Sequence, residues 1–212
     1  MNSIKIDYII KDNYKDLIQK EIYENIILDI INKSKIVFPQ NYKHIDKQDN
    51  GESDFESILT GERIDAKTIF PQTQCRNLSL GNLEDFYKMI CEETNDIFEA
   101  IMHDNDISST ILYKQIIGAF KKISSNEHII LFIPFPFTLE FEKSLTSRFA
   151  SDIFSQMIFK MKKEDPSFFN KHKIYFIYPN LENKIVLKNI WTGEIEYLKS
   201  DYISRYIYVR YK

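Results

Sequence analysis

The first strong pattern in the sequence is an apolar stripe over residues 14–33. Its apolar residues recur at three- and four-residue spacing and predict an amphipathic helix: Leu17, Ile18, Ile22, Ile26, Ile27, Ile30 and Ile31. They cover a wide arc of the helix, so we expect substantial burial. Glu21 falls inside that arc, where a carboxylate needs a partner, a metal or a cleft edge. Alternatively, Glu21 lies on the rim of the arc and reaches water.

A stretch of two short strands follows, over residues 53–68, and predicts a hairpin with a tight turn at Thr60-Gly61. A turn of two residues would pair Leu59 with Glu62, Ile58 with Arg63, Glu56 with Asp65, and Asp54 with Lys67. Residues opposite each other in antiparallel strands share a face of the sheet. One face would then carry the polar side chains of Asp54, Glu56, Asp65 and Lys67, and the core face those of Phe55, Leu59, Ile64 and Ala66. A slip of one residue would separate Asp54 from Asp65.

The remaining periodicity predicts a mixture of helices and strands. Helical patterns cover residues 82–103, 107–123 and 139–163, the last ending before Pro166. The apolar runs 128–133 and 173–178 predict strands buried on both faces. A strand, a helix and a second strand in this order favour a parallel pair with a right-handed crossover. Shorter strands are predicted at 36–38, around 44–45, and at 185–191, 194–198 and 202–211, with Thr192-Gly193 as a turn.

These elements predict one α/β domain over residues 1–212, with a core over about 14–178 and C-terminal strands over about 184–211. The chain has 212 residues, enough for one sizeable domain, and we find no internal repeat or clear linker. Hydrophobic residues make up 43% of the chain, so a packed core is expected and wholesale disorder is not.

Charge and cysteine content narrow the function classes. The formal net charge is -3, so nucleic-acid binding would need a local basic surface. Cys75 and Cys91 have no metal-ligand spacing and make no disulfide framework, so both are expected to be reduced thiols. The first 11 residues lack the apolar segment of a signal peptide, and no apolar run is long enough to cross a bilayer. We expect a cytoplasmic protein without membrane contact.

The hairpin carries the residue types that metal-assisted phosphodiester hydrolysis requires. Mg²⁺ accepts one or two carboxylates and keeps water and phosphate oxygens as its other ligands. Asp54 and Asp65 could supply those carboxylates from neighbouring strands. Lys67, two residues after Asp65 on the same strand, could orient water and offset charge on the phosphate. A solvated, charged hairpin face would have the same sequence.

Ser53-Asp54 followed by Asp65-Ala66-Lys67 resembles the PD-(D/E)xK signature of the restriction-endonuclease-like nucleases. The resemblance covers about residues 14–133 and extends to the order of elements: helix, antiparallel hairpin, helices and buried strand. It implies a restriction-endonuclease-like core with a C-terminal β-rich elaboration. Ser53 replaces the proline of the motif, and Asp65 stands where glutamate is more usual. Neither change removes a required chemical group.

By this resemblance Asp54 and Asp65 are catalytic metal ligands and Lys67 positions the attacking water. Further supporting residues are Glu21, as the acid of the first helix, Glu56, as a spare acid, and Gln72 or Gln74, as a glutamine beyond the motif. We therefore expect a Mg²⁺-dependent DNA endonuclease of the type II restriction kind, in which Mn²⁺ could substitute. Double-stranded DNA would be its partner, and a homodimer would cut both strands.

Three cations are candidates for nucleic-acid contacts: Arg76, Arg205 and Arg210. The last two lie in residues 202–212, which mix tyrosines with cations as a nucleic-acid surface does. A tyrosine-rich edge strand explains the same residues. Two other functions stay open: a non-catalytic binding or inhibitory protein on a nuclease-like fold, and an unrelated α/β interaction domain. The second requires Asp54 and Asp65 to diverge in space.

Overall fold

A seven-stranded mixed sheet is the largest element of the fold. The computed structural model of the protein describes residues 6–10, 20–45, 53–68, 111–123, 128–132, 153–179, 184–199 and 207–211. Within these segments the chain is mixed α/β, with a second sheet of two strands. The helix predicted over 82–103 and the first parts of those predicted over 14–33 and 139–163 lie outside the described residues.

The described part contains nine strands and four helices. The strands are β1 (Ile6–Ile10), β2 (Tyr42–His44), β3 (Phe55–Ser57), β4 (Arg63–Thr68), β5 (His128–Phe132), β6 (Ile174–Pro179), β7 (Lys184–Asn189), β8 (Ile195–Lys199) and β9 (Ile207–Tyr211). The helices are α1 (Lys20–Lys33), α2 (Ile111–Phe120), α3 (Ile153–Glu164) and α4 (Pro166–Lys171). No helix among the described residues is long and apolar enough to cross a membrane.

The large sheet follows the chain from one edge to the other, in the order β2-β3-β4-β5-β6-β7-β8. The pairs β4–β5 and β5–β6 are parallel, and the other four pairs are antiparallel. The predicted parallel pair β5–β6, with α3 and α4 between its strands, is therefore confirmed. Burial of both faces is also confirmed, since Ile129, Ile130, Leu131, Phe176 and Ile177 are fully buried. Consecutive residues of β5 and β6 point to opposite faces, so both faces are covered at these positions.

Helix α1 ends at Lys33, as predicted, and buries Ile26, Ile27, Ile30 and Ile31. The Asn32 side chain exchanges two hydrogen bonds with the Tyr42 backbone and so attaches α1 to β2. This bond pair brings the end of α1 beside the hairpin strands.

The strand predicted over residues 36–38 is wrong. The backbone N–H groups of Lys35, Ile36 and Val37 donate to the Glu196 carboxylate of β8, and a bend results. A carboxylate that accepts consecutive amides draws them to one point, which an extended strand cannot do.

The hairpin forms, but its predicted register is wrong. Phe55 pairs with Ile64 and Glu56 with Arg63, and Ser57 N–H donates to Glu62 O at 2.8 Å. The loop is longer because Ser57 O accepts from Gly61 N–H and Ser57 Oγ accepts from Thr60 N–H, which coils the chain before Gly61 reverses it at φ 67°. The shift is two residues, so each side chain keeps its face. Leu59, expected in the core, lies in the loop and is 80% exposed.

The C-terminal strands agree with the prediction in part. Strands β7 and β8 form an antiparallel hairpin whose turn contains Thr192 and Gly193, the latter at φ 76°. The last strand, β9, pairs instead with β1, a segment that was not predicted to be a strand. Pro166 follows the end of α3, as predicted, and begins the short helix α4, with Asp165 as its N-cap.

Candidate active site

The centre of the candidate site is a pair of buried aspartates on neighbouring hairpin strands. Asp54 immediately precedes β3 and Asp65 lies in β4; they are 0% and 5% exposed. Asp54 N–H donates to Ile64 O at 3.1 Å, and the Asp54 carboxylate accepts from Ala66 N–H at 2.8 Å. The two carboxyl groups are close enough that each shifts the pKa of the other. The actual register therefore brings Asp54 to Asp65, where the predicted one paired it with Lys67.

Lys67 lies on the same face as Asp65, as the two-residue spacing predicts. Its Nζ atom is 2.7 Å from the Asp65 carboxylate, and 30% of its side chain is exposed. The lysine thus reaches from solvent to the buried pair. Asp54, Asp65 and Lys67, the three residues of the motif, form one connected group.

Helix α1 contributes two residues that the sequence did not single out, Lys20 and Glu24. Lys20 Nζ lies 3.1 Å from Asp54 Oδ1 and 3.2 Å from Glu24 Oε1. Glu24 is 2% exposed and acts to lower the pKa of Asp54. Glu21, the acid that the resemblance suggested, is exposed, which agrees with the alternative that it reaches water. The available signal was that Glu24 lies three residues before Ile27 and seven before Ile31, on their side of the helix.

Glu56 is not part of the aspartate pair. It lies opposite Arg63 rather than Asp65 and makes ion pairs at 3.6 Å with Arg63 and with Lys43 of β2. Its predicted pairing with Asp65 is corrected by the longer loop. Lys43, Glu56 and Arg63 form a row across three strands, which we call the charged row.

Burial and the close approach of two carboxyl groups separate the pKa values of the aspartates. Burial raises the pKa of Asp65 to about 7, and the hydrogen bond with Asp54 acts in the same direction against the ion pair with Lys67. Burial also acts to raise the pKa of Asp54. Hydrogen bonds from Asp65 and the Ala66 N–H, with the charge of Lys20, outweigh it and lower that pKa to about 2. Asp65 is therefore the member of the pair that takes up a proton first as the pH falls, while Asp54 stays ionised.

The remaining predicted site residues are not among the described residues of this group. Gln72, Gln74, Arg76 and Arg205 lie outside the described residues, as do Cys75 and Cys91. Arg210 lies in β9, opposite Asp7 of β1, in the two-stranded sheet.

Asp54 and Asp65 offer oxygen donors of the kind that a magnesium-type ion accepts. No group of three or more His, Cys, Asp or Glu side chains among the described residues has the geometry of a metal site. Two carboxylates on adjacent strands, with the rest of the coordination left to water and phosphate, are what Mg²⁺ commonly uses. Asp54 and Asp65 would hold such an ion. Asp65 would first lose its proton, since carboxylates bind metals in the ionised form.

Comparison with known proteins supplies no family for this chain. No protein-family model, curated protein or solved structure matches it. Function is therefore inferred from the geometry of the site.

Proposed function

We propose that this protein is a Mg²⁺-dependent endonuclease that hydrolyses phosphodiester bonds of DNA, of the type II restriction kind. The observation that carries the proposal is the contact between the carboxyl groups of Asp54 and Asp65, with Lys67 Nζ 2.7 Å from Asp65. These are the groups that the resemblance to the PD-(D/E)xK nucleases requires, and the fold gathers them from two strands.

Each residue has a role that its position supports. Asp54 and Asp65 would hold Mg²⁺, which supplies the positive charge that polarises the phosphodiester and promotes ionisation of water. Lys67, partly exposed beside Asp65, would orient the attacking water and stabilise negative charge on the phosphate oxygens. The oxygen of water forms a new bond to phosphorus, one ester P–O bond breaks, and the leaving oxygen takes up a proton.

Plasmid digestion tests the proposal. We expect the wild-type protein to nick or linearise a plasmid with Mg²⁺ or Mn²⁺ and to be inactive with EDTA. Asp65→Ala and Lys67→Ala each remove a group from the reacting centre and should lower the rate by about 100-fold or more. Asp29→Asn, which changes an exposed acid of α1, should leave cleavage unchanged. Cleavage that survives both site substitutions would reject the site.

Action on both strands of a duplex favours a homodimer with two sites related by a twofold axis. Sedimentation of the full chain measures this directly, since the monomer has a mass of 25.3 kDa. A monomer that persists with DNA bound would exclude the dimeric arrangement and leave the hydrolytic site open to separate test.

A second candidate is a non-catalytic binding or inhibitory protein. It is favoured because the negative charges of the site are already compensated within the protein: Lys20 and Lys67 contact the carboxylates directly. A calorimetric titration with Mn²⁺ separates the two functions. The nuclease should bind the ion in a manner that Asp54→Asn or Asp65→Asn abolishes, whereas the non-catalytic protein should bind none. The third interpretation, an interaction domain with diverging aspartates, loses its premise because Asp54 and Asp65 are in contact.

A further inference from the structure

The charged row of Lys43, Glu56 and Arg63 lies on the same sheet face as Asp65 and Lys67. Lys43 pairs with Glu56 and Glu56 with Arg63, so the three side chains follow one another across β2, β3 and β4. Arg63 is two residues before Asp65, and Lys67 two after it, on one strand. Side chains at this spacing project to one face about 6.5 Å apart. Cations therefore lie on both sides of the aspartate along β4.

Two cations and one carboxylate leave the charged row with a net positive charge. Glu56 is the one acid among the described residues that Lys43 and Arg63 contact, and each contact is 3.6 Å long. That length exceeds a hydrogen bond, and ion pairs between exposed groups contribute little stability. The Lys43 and Arg63 side chains are 60% and 48% exposed. Both cations could exchange Glu56 for an incoming anion at small cost.

Among the described residues, this face of the sheet is buried on one side of the site and exposed on the other. On the β5 side, Ile129 lies next to Asp65 and Leu131 next to Lys67, and both are fully buried. On the β2–β3 side the same face carries the exposed charged row. A polymer that approaches Asp65 from the β2–β3 side would therefore pass over Arg63 and Lys43.

We propose that the charged row binds the phosphate backbone of a nucleic-acid strand and guides that strand to the Asp54–Asp65 site. Arg63 suits this role because guanidinium binds phosphate through two parallel hydrogen bonds, and Lys43 adds a point charge one strand further out. Glu56 is a positioning residue: it holds the two cations in a row and competes with phosphate for them. This inference rests on the proposed nuclease function for the identity of the strand, and it gives Glu56 a role other than metal binding.

Binding of a short fluorescein-labelled DNA duplex to the full chain, measured by anisotropy in EDTA over a range of salt, tests the row without catalysis. Lys43→Ala and Arg63→Ala should each weaken binding about three- to tenfold and lower the slope of log affinity against log salt by about 0.9. Glu56→Gln should strengthen binding, because it removes the competing charge and keeps the side-chain shape. Stronger DNA binding by Glu56→Gln, opposite to the effect of the two alanine substitutions, would not result from simple disruption of the fold.

Two controls make the result specific. Lys33→Ala removes an equally exposed, ion-paired lysine from α1 and should leave binding unchanged. Arg63→Lys keeps the charge, so the salt slope should return while part of the affinity is lost. Calorimetric binding of Mn²⁺ should be the same in the row variants as in the wild type.

The outcomes distinguish this inference from the proposed function. Wild-type binding that Lys43→Ala, Arg63→Ala and Glu56→Gln do not alter would overturn the row and leave the nuclease site standing. Row variants that weaken DNA binding to a protein that binds no Mn²⁺ would support the row and reject the catalytic proposal. Absence of DNA binding by the wild type would reject both.

Discussion

Asp65 has the most unusual environment of any residue in the site. It is buried, lies close to a second carboxyl group and is in contact with Lys67. Burial and the neighbouring carboxyl group raise the pKa of Asp65 to about 7, so this carboxyl group takes up a proton at a higher pH than an aspartate in water does. That proton must leave before a divalent ion can bind, so folding stability and metal binding should depend on pH through the same group.

Stability should fall as pH rises through the range in which Asp65 is protonated only in the folded protein. Its pKa is about 7 in the folded protein and 3.8 in the unfolded reference. Between these values the folded state binds more protons, so the unfolding free energy decreases with pH. Asp65→Asn has no carboxyl group to titrate at this position. Its unfolding free energy should therefore rise relative to that of the wild type by up to about 1 kcal/mol per pH unit between pH 4 and 7.

Urea unfolding at several pH values measures this difference, with Asp29→Asn as the control for loss of a charge. The opposite shift of Asp54, whose pKa is about 2, acts only in more acidic solution. If the unfolding free energies of Asp65→Asn and wild type differed by the same amount at every pH in this range, the raised pKa of Asp65 would be contradicted.

Glu24 and Glu21 form a matched pair for testing the contribution of α1. Glu24 is buried against Asp54 and Lys20, whereas Glu21 is exposed three residues earlier on the helix. Residues that hold a metal ligand in position commonly change metal affinity 10- to 100-fold when replaced. We expect Glu24→Gln to weaken Mn²⁺ binding by about tenfold or more. Glu21→Gln should leave it unchanged, and equal effects of the two would exclude the positioning role of Glu24.

At the scale of elements, hydrogen bonds outside the strand ladders determine the conformation of two connecting segments. The hairpin loop takes its length from Ser57, whose carbonyl and hydroxyl oxygens accept from Gly61 and Thr60. The segment after α1 takes its bend from Glu196, 8% exposed, whose carboxylate accepts from Ser34 Oγ and from the amides of Lys35, Ile36 and Val37. In both places a polar group satisfies amides that a regular strand would otherwise pair.

Glu196→Gln should destabilise the protein by about 2–4 kcal/mol, because an amide nitrogen replaces an oxygen that accepts from buried donors. Burial acts to raise the pKa of Glu196, but the hydrogen bonds outweigh it and lower that pKa. Its contribution is therefore present above the unfolded pKa and is lost as pH falls through the folded pKa. Urea unfolding at neutral and acid pH should show the variant's deficit shrinking in acid. Glu194→Gln, an exposed neighbour, should cost far less.

At the scale of the whole molecule, the sheet divides into a buried centre and charged or edge regions. Strands β5 and β6 are parallel and buried, whereas β2 and β8 end the order of the sheet within the described residues. The aspartates lie where the antiparallel hairpin meets the parallel strands, since β4 pairs with β3 on one side and β5 on the other. The site thus has a rigid side and an open side.

Hydrogen exchange should report this division. Amides of β5 and β6 should exchange only through global unfolding, while those of β2 should exchange by local opening at a lower free energy. The comparison needs no variant, because β2 and β5 are followed in one experiment. Equal protection of β2 and β5 would show that the hairpin edge is as rigid as the centre.

The sequence alone determined the elements whose hydrophobic pattern is local. Helix α1, the buried strands β5 and β6, the C-terminal hairpin and the shared face of Asp65 and Lys67 follow from periodicity within a few residues, which propensity and burial enforce together. The motif residues were identified in the same way, from spacing along two short strands.

The tertiary structure decided whatever depends on distant partners. The bend over residues 34–38 needs Glu196, the pairing of β9 needs β1, and the choice of Glu24 over Glu21 needs the position of Asp54 beside α1. The direct contact between Asp54 and Asp65 also needed the hairpin loop formed around Ser57. Hydrogen bonds and burial between residues far apart in sequence leave no periodic signal in either segment, and for this reason only the folded chain reveals them.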